Sequence, residues 1–151
     1  MLREAITERM KTALRARDTR TLSTVRLIMA ALKDRDIEAR SSGERAGIGE
    51  PDIQRMLQGM IKQRRESIAL YERGNRPELA QQEAEEITVI ESFLPQQMDD
   101  AGIEVAARAA IAVSGATGIK DMGKVMGALR ERHAGVIDLA RAGAIVKRLL
   151  G

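Results

Sequence analysis

The stretch PDIQRMLQGMIKQRRESIALY, Pro51 to Tyr71, sets Ile53, Leu57, Ile61, Arg64, Ile68 and Tyr71 at alternating four- and three-residue steps. That spacing draws one seam along a long α-helix and is incompatible with the two-residue period of a strand. Pro51 suits a first helical turn, and Gly74 and Asn75 suit its end. Similar spacing extends in both directions. Leu2, Ile6, Met10 and Leu14 recur every four residues, and Asp18 offers a cap for a second helix with Leu22, Val25, Met29 and Leu32 inward. Pro77 restarts a helix with seam residues Leu79, Ile87, Ile90 and Leu94. Glu83 falls on that seam, where a charge needs a partner, and Arg64 on the preceding helix is the expected one. Beyond Pro95 the composition turns to Ala and Gly. Asp99 or Asp100, Asp121 and Asp138 are candidate caps for three shorter helices. The expectation is an all-α chain: an N-terminal four-helix domain, residues 1–94, then a small three-helix C-terminal domain, residues 95–151, with the joint at Phe93–Asp99.

Composition narrows the chemistry. The 151 residues contain no cysteine, one histidine (His133) and two aromatics (Tyr71 and Phe93). Thiol nucleophiles, disulfides and cysteine-ligated metals are excluded, and a His-based catalytic pair nearly so. Without rings there is no platform for stacking single-stranded bases. The acids at every second position in Asp34-Arg35-Asp36-Ile37-Glu38 resemble the start of a calcium loop, but Ala39 stands where glycine is required and Arg45 where a bidentate Glu is required. That segment reads as a solvated, charged helix end. His133 reads as a cation at a helix C-terminus. No catalytic residue, metal site or cofactor is expected. The longest apolar run, Leu27–Leu32, is far too short for a membrane span. The acids Glu4, Glu8 and Asp18 oppose a transit peptide, so the expected location is cytoplasmic.

The net charge of +3 is unevenly spread. Residues 1–26 hold seven basic and three acidic groups, residues 27–107 ten and sixteen, and residues 108–151 eight and three. Basic ends fit a phosphate-rich partner. The stretch TGIKDMGKVMG, Thr117 to Gly127, lacks the Ser/Thr of a phosphate-binding P-loop, since Val125 follows Lys124. It still sets Lys120, Lys124 and, nearly in line, Arg130 along the start of a helix. Gly123 and Gly127 lie on the same side, each costing a helix about 1 kcal/mol against Ala. That cost implies a close approach, either by another helix or by a sugar–phosphate backbone.

LSTVRLIMAALKDRDIE (Leu22 to Glu38), MIKQRRES (Met60 to Ser67), IESFLP (Ile90 to Pro95) and TGIKDMGKVMG together resemble the GatB/YqeY family, in order and along essentially the whole chain. The chain looks like a free-standing YqeY-like protein, similar to the helical tail of GatB, a subunit of tRNA-dependent amidotransferase. The resemblance implies a two-part all-α fold and a tRNA connection. It carries over no catalytic site, because amide transfer in GatB belongs to a larger domain without a counterpart here. Met29 departs from the family in standing where a polar Asn is expected. Three functions follow. The first is an accessory module that binds tRNA by shape and backbone through Lys120, Lys124 and Arg130, with Arg20 and Arg26 as a weaker second patch. The second is a protein-interaction module docking on a tRNA synthetase or amidotransferase subunit. The third, at family level, is a component of a carbon–nitrogen ligase using glutamine as amide donor.

Overall fold

Seven α-helices and one 3-10 turn make up the fold, with no strand, in the computed structural model, which describes residues 1–151. The helices are α1 (Leu2–Ala16), α2 (Thr19–Ser41), α3 (Glu50–Arg73), α4 (Pro77–Glu91), α5 (Asp100–Ser114), α6 (Met122–Arg132) and α7 (Leu139–Leu150); the 3-10 turn is Ile119–Asp121. They form two compact units, Met1–Leu94 and Pro95–Gly151. No single helix is long and apolar enough to cross a membrane.

In the first unit α3 and α4 form the closest pair, an antiparallel hairpin turned by Gly74 and by Asn75, which adopts a left-handed conformation (φ 57°). The core is aliphatic: Ile6, Val25, Ile28, Ile53, Leu57 and Ile90 are almost fully excluded from solvent. Each contributes about 1.5–3 kcal/mol by burial. Asp18 caps α2, its carboxylate accepting from the Thr21 N–H at 3.1 Å. The expected α1 stripe drifts. Ala13 is buried while Leu14 is 57% exposed, because four-residue steps overshoot the 3.6-residue turn and the stripe rotates off the core. In α2, Ile28 is fully inside while Met29 is half-buried against the core.

Asp36 is not part of a solvated helix end. It is buried and holds Arg3 in a bidentate pair, Nη1–Oδ2 and Nη2–Oδ1 both at 2.7 Å. Its Oδ1 also accepts the Ile48 N–H at 2.9 Å, while Arg3 Nη2 donates to the Ile48 carbonyl at 2.7 Å. This latch ties α1, α2 and the 42–49 loop together. Gly47 completes it: its φ is +84°, and a Cβ there would collide with the Asp36 carboxylate. The hydrogen-bonded Arg3 guanidinium, aided by the Ile48 N–H and opposed by burial, lowers the Asp36 pKa from 3.8 to about 2. A carboxylate lowered by folding stabilises the native state above its unfolded pKa, and that stability disappears as pH falls through the folded value. Asp36→Asn should therefore cost about 2 kcal/mol at neutral pH. The gap between variant and wild type should close between about pH 4 and pH 2. Urea unfolding of both proteins across that range checks this; a gap that does not change with pH contradicts it.

The Glu83–Arg64 expectation is corrected. Arg64 Nε donates to Glu86 Oε2 at 2.8 Å, with both side chains 11% exposed. Arg64 also donates to the Met60 carbonyl. Glu83 is half-buried nearby, and its pKa is raised, first by burial and then by the Glu86 charge, with Arg64 acting the other way.

Candidate nucleic-acid interface

The second unit is built on small side chains. Asp99 caps α5 by accepting from the Gly102 N–H at 2.8 Å, and Gly115 ends that helix in a left-handed conformation. Ile103, Ala107, Val125, Leu129, Ala142 and Val146 form its core. Asp138 caps α7 through the Ala140 and Arg141 N–H groups. Asp121 departs from expectation. Its carboxylate makes no side-chain cap to α6 and instead accepts the Thr117 N–H at 3.0 Å. The aspartate thus closes the 117–121 turn and fixes the approach to α6.

That turn and α6 carry the predicted cations. Lys120 lies in the 3-10 turn, Lys124 in the first turn of α6 and Arg130 in its last; all three are exposed. Arg132, which the sequence reading did not single out, is exposed as well. Two acids of this unit pair with other arginines. Glu104 pairs with Arg108 at 2.9 Å and Arg148 at 3.1 Å, and Asp100 approaches Arg141 at 3.7 Å. None of Lys120, Lys124, Arg130 and Arg132 forms an ion pair, and all four side chains face solvent.

Helical geometry places these groups more finely than the sequence did. Arg130 is not in line with Lys124: six residues on, it stands about 120° round the helix and about 9 Å along it. Gly123 and Gly127 fall in the sector between the two. A Cβ built on either glycine meets no atom within 4 Å. Helix packing inside the unit therefore does not explain them. The result is an open strip of α6 backbone bordered by Lys124 on one side and Arg130 on the other. Glu131 is the one acid exposed at its far end. His133 terminates α6, its N–H donating to the Leu129 carbonyl at 3.0 Å.

The second predicted patch is not brought together. Arg20 Nε is paired with Glu85 Oε2 at 2.9 Å, whereas Arg26 is exposed without an ion pair. Six residues separate them, so they too lie about 120° apart on α2. The first unit also has a groove of about 590 Å³ between the second half of α2 and the first half of α3, which includes Ile48, Met56, Gly59 and Met60.

The family model described as Yqey-like protein matches residues 3–150, and the chain belongs to that family, which is related to the GatB tail domain. No curated protein matches the chain.

Proposed function

We propose that the protein is a tRNA-binding accessory module that grips the sugar–phosphate backbone and does no amide transfer of its own. The observation that carries this reading is the α6 surface: four exposed cations without acidic partners, two of them flanking glycines that nothing in the unit covers. A backbone stripped of side chains admits a bulky phosphate–sugar chain, and the flanking cations neutralise it. Phosphate contacts of this type set position and affinity and leave base identity unread. Such a surface suits the recognition of folded RNA by shape. Residues 1–94 and 95–151 would act as separate functional domains, the second bearing this grip. Retardation of bulk tRNA at low salt, relieved by added salt, tests the proposal; free tRNA at every protein concentration would refute it.

The glycines yield a prediction with opposite signs in its two readouts. Gly123→Ala/Gly127→Ala should raise stability, by about 1 kcal/mol per site, because alanine favours helix and the space is open. The same variant should bind tRNA more weakly, because two methyl groups now stand where the backbone would lie. Thermal melting and filter binding of one preparation check both halves. A stabilised variant with wild-type affinity would remove the glycine strip from the interface.

The α2–α3 groove favours a second reading, docking of a partner protein such as a tRNA synthetase or amidotransferase subunit. Met56 and Met60 in its lining give an adaptable apolar surface. A pull-down that survives nuclease treatment and is abolished by Met60→Glu, with the fold unchanged, would support it.

A further inference from the structure

We infer that the outward face of α2 is a second RNA-backbone surface, formed by Arg26, Lys33 and Arg40. This rests on the tRNA reading above and adds the first unit to the interface. The three cations recur every seven residues, so they stay within about 40° of one another on the helix and span about 21 Å along it. All three are exposed and none forms an ion pair. Arg40 lies within electrostatic reach of Asp36, whose carboxylate is already committed to Arg3.

Cations elsewhere in this unit are mixed: some, such as Arg9, Arg35, Lys62 and Arg73, are also unpaired, but only on α2 do three unpaired cations share one helix face. Arg3, Lys11, Arg20, Arg55, Arg64, Arg65 and Arg76 are each held by a carboxylate. The acids of α2 lie off the row. Asp34 and Glu38 are turned about 80° and 120° from Arg26, and Asp36 points inward to the latch. Around Arg26 and Lys33 the face is low, with Ser23 and Ala30 exposed, while the half-exposed Ile37 stands between Lys33 and Arg40. A row of like charges fixed at regular spacing on a helix matches a polyanion whose own charges are held at regular spacing. The double-helical backbone of a folded RNA holds its phosphates at fixed spacing before binding, whereas a flexible acidic polypeptide must be ordered to do so. No aromatic side chain stands on the row to stack a base, so it would contact phosphates alone.

The test uses the full-length chain and bulk tRNA, with filter binding from about 50 to 300 mM KCl, the range over which counterion release dominates affinity. Arg26→Gln/Lys33→Gln/Arg40→Gln should bind at least about tenfold more weakly at the lowest salt. Its plot of log affinity against log salt should be shallower by about two to three, the share of three lost phosphate contacts. Glutamine keeps helix propensity, and unchanged helicity and melting confirm the fold. Since Arg40 adjoins the latch, Arg26→Gln/Lys33→Gln gives a second reading, shallower by about two. Poly-L-glutamate of equal charge concentration should compete poorly with tRNA. Wild-type affinity and slope in both variants, in a protein that still loses binding through Lys120→Glu/Lys124→Glu, would overturn the α2 surface and leave the α6 reading standing. Equal competition by poly-L-glutamate would overturn the assignment to an RNA backbone. No tRNA binding by the wild type would overturn the α6 reading and this inference together.

Discussion

Arg64→Ala should destabilise the first unit by about 3–5 kcal/mol, the cost of leaving a buried carboxylate without its cation. Arg64 and Glu86 face each other across the α3–α4 hairpin at 2.8 Å, each only 11% exposed. Two carboxylates depend on that guanidinium. Glu86 loses its direct partner, and Glu83, whose pKa is already raised by burial and by Glu86, loses the cation that opposes the rise. Arg64→Met/Glu86→Leu should recover most or all of the loss, since replacing a whole buried pair with apolar side chains of similar size is often neutral or stabilising. Urea midpoints of the two variants decide this. A loss under about 1 kcal/mol for Arg64→Ala would show that the pair is solvated in solution, as exposed pairs of that strength are.

The Arg64–Glu86 pairing shows how far the sequence could be read. The all-helical class was legible because aliphatic residues recur at helical spacing nearly everywhere and almost no aromatic or β-branched runs compete. Register across the hairpin was harder. Stepping by fours from Leu79 puts Glu83 on the seam and makes it look like the partner of Arg64. The hairpin itself sets the pairing: Arg64 and Glu86 are each eleven residues from Asn75, so antiparallel helices folded there bring those two level. Counting outward from the turn would have found it. Asp36 was misread for a different reason. Its latch joins positions 3, 36 and 47–48, a long-range contact that helix periodicity does not encode. The one local sign was Gly47, whose positive φ holds the loop against Asp36.

For the candidate site, residue types were legible and their sorting was not. Lys120, Lys124 and Arg130 stand out in the sequence, but which cations are neutralised depends on where the acids fold. Glu104 takes two arginines from α5 and α7, and Glu85 takes Arg20. Arg132 was hidden by its neighbour Glu131, which cancels it in any charge count along the chain. The role of the glycines turned on space: Gly123 and Gly127 have no neighbour within 4 Å, which sequence alone cannot report.

The largest effect on binding should come from Lys120→Glu/Lys124→Glu. Both side chains are exposed and outside the core of the second unit, so the fold should survive, as circular dichroism would confirm. On the tRNA reading, each exchange would remove a favourable phosphate contact and set a carboxylate against the RNA backbone. The affinity for bulk tRNA should fall by about two orders of magnitude at low salt. Discrimination among tRNA sequences should not change, because phosphate contacts carry no base information. A variant that loses affinity for some tRNAs only would indicate base readout at this turn.

The salt dependence of tRNA affinity, measured for wild type and Lys120→Glu/Lys124→Glu side by side, tests the central claim most directly. Backbone gripping by α6 predicts a steep linear fall of log affinity with log salt for the wild type. It predicts a slope shallower by about two in the variant, one unit for each lysine removed from a phosphate. Identical slopes and affinities for the two folded proteins would contradict it. The cations of α6 would then be an ordinary solvated surface, and the α2–α3 groove would become the surface to pursue.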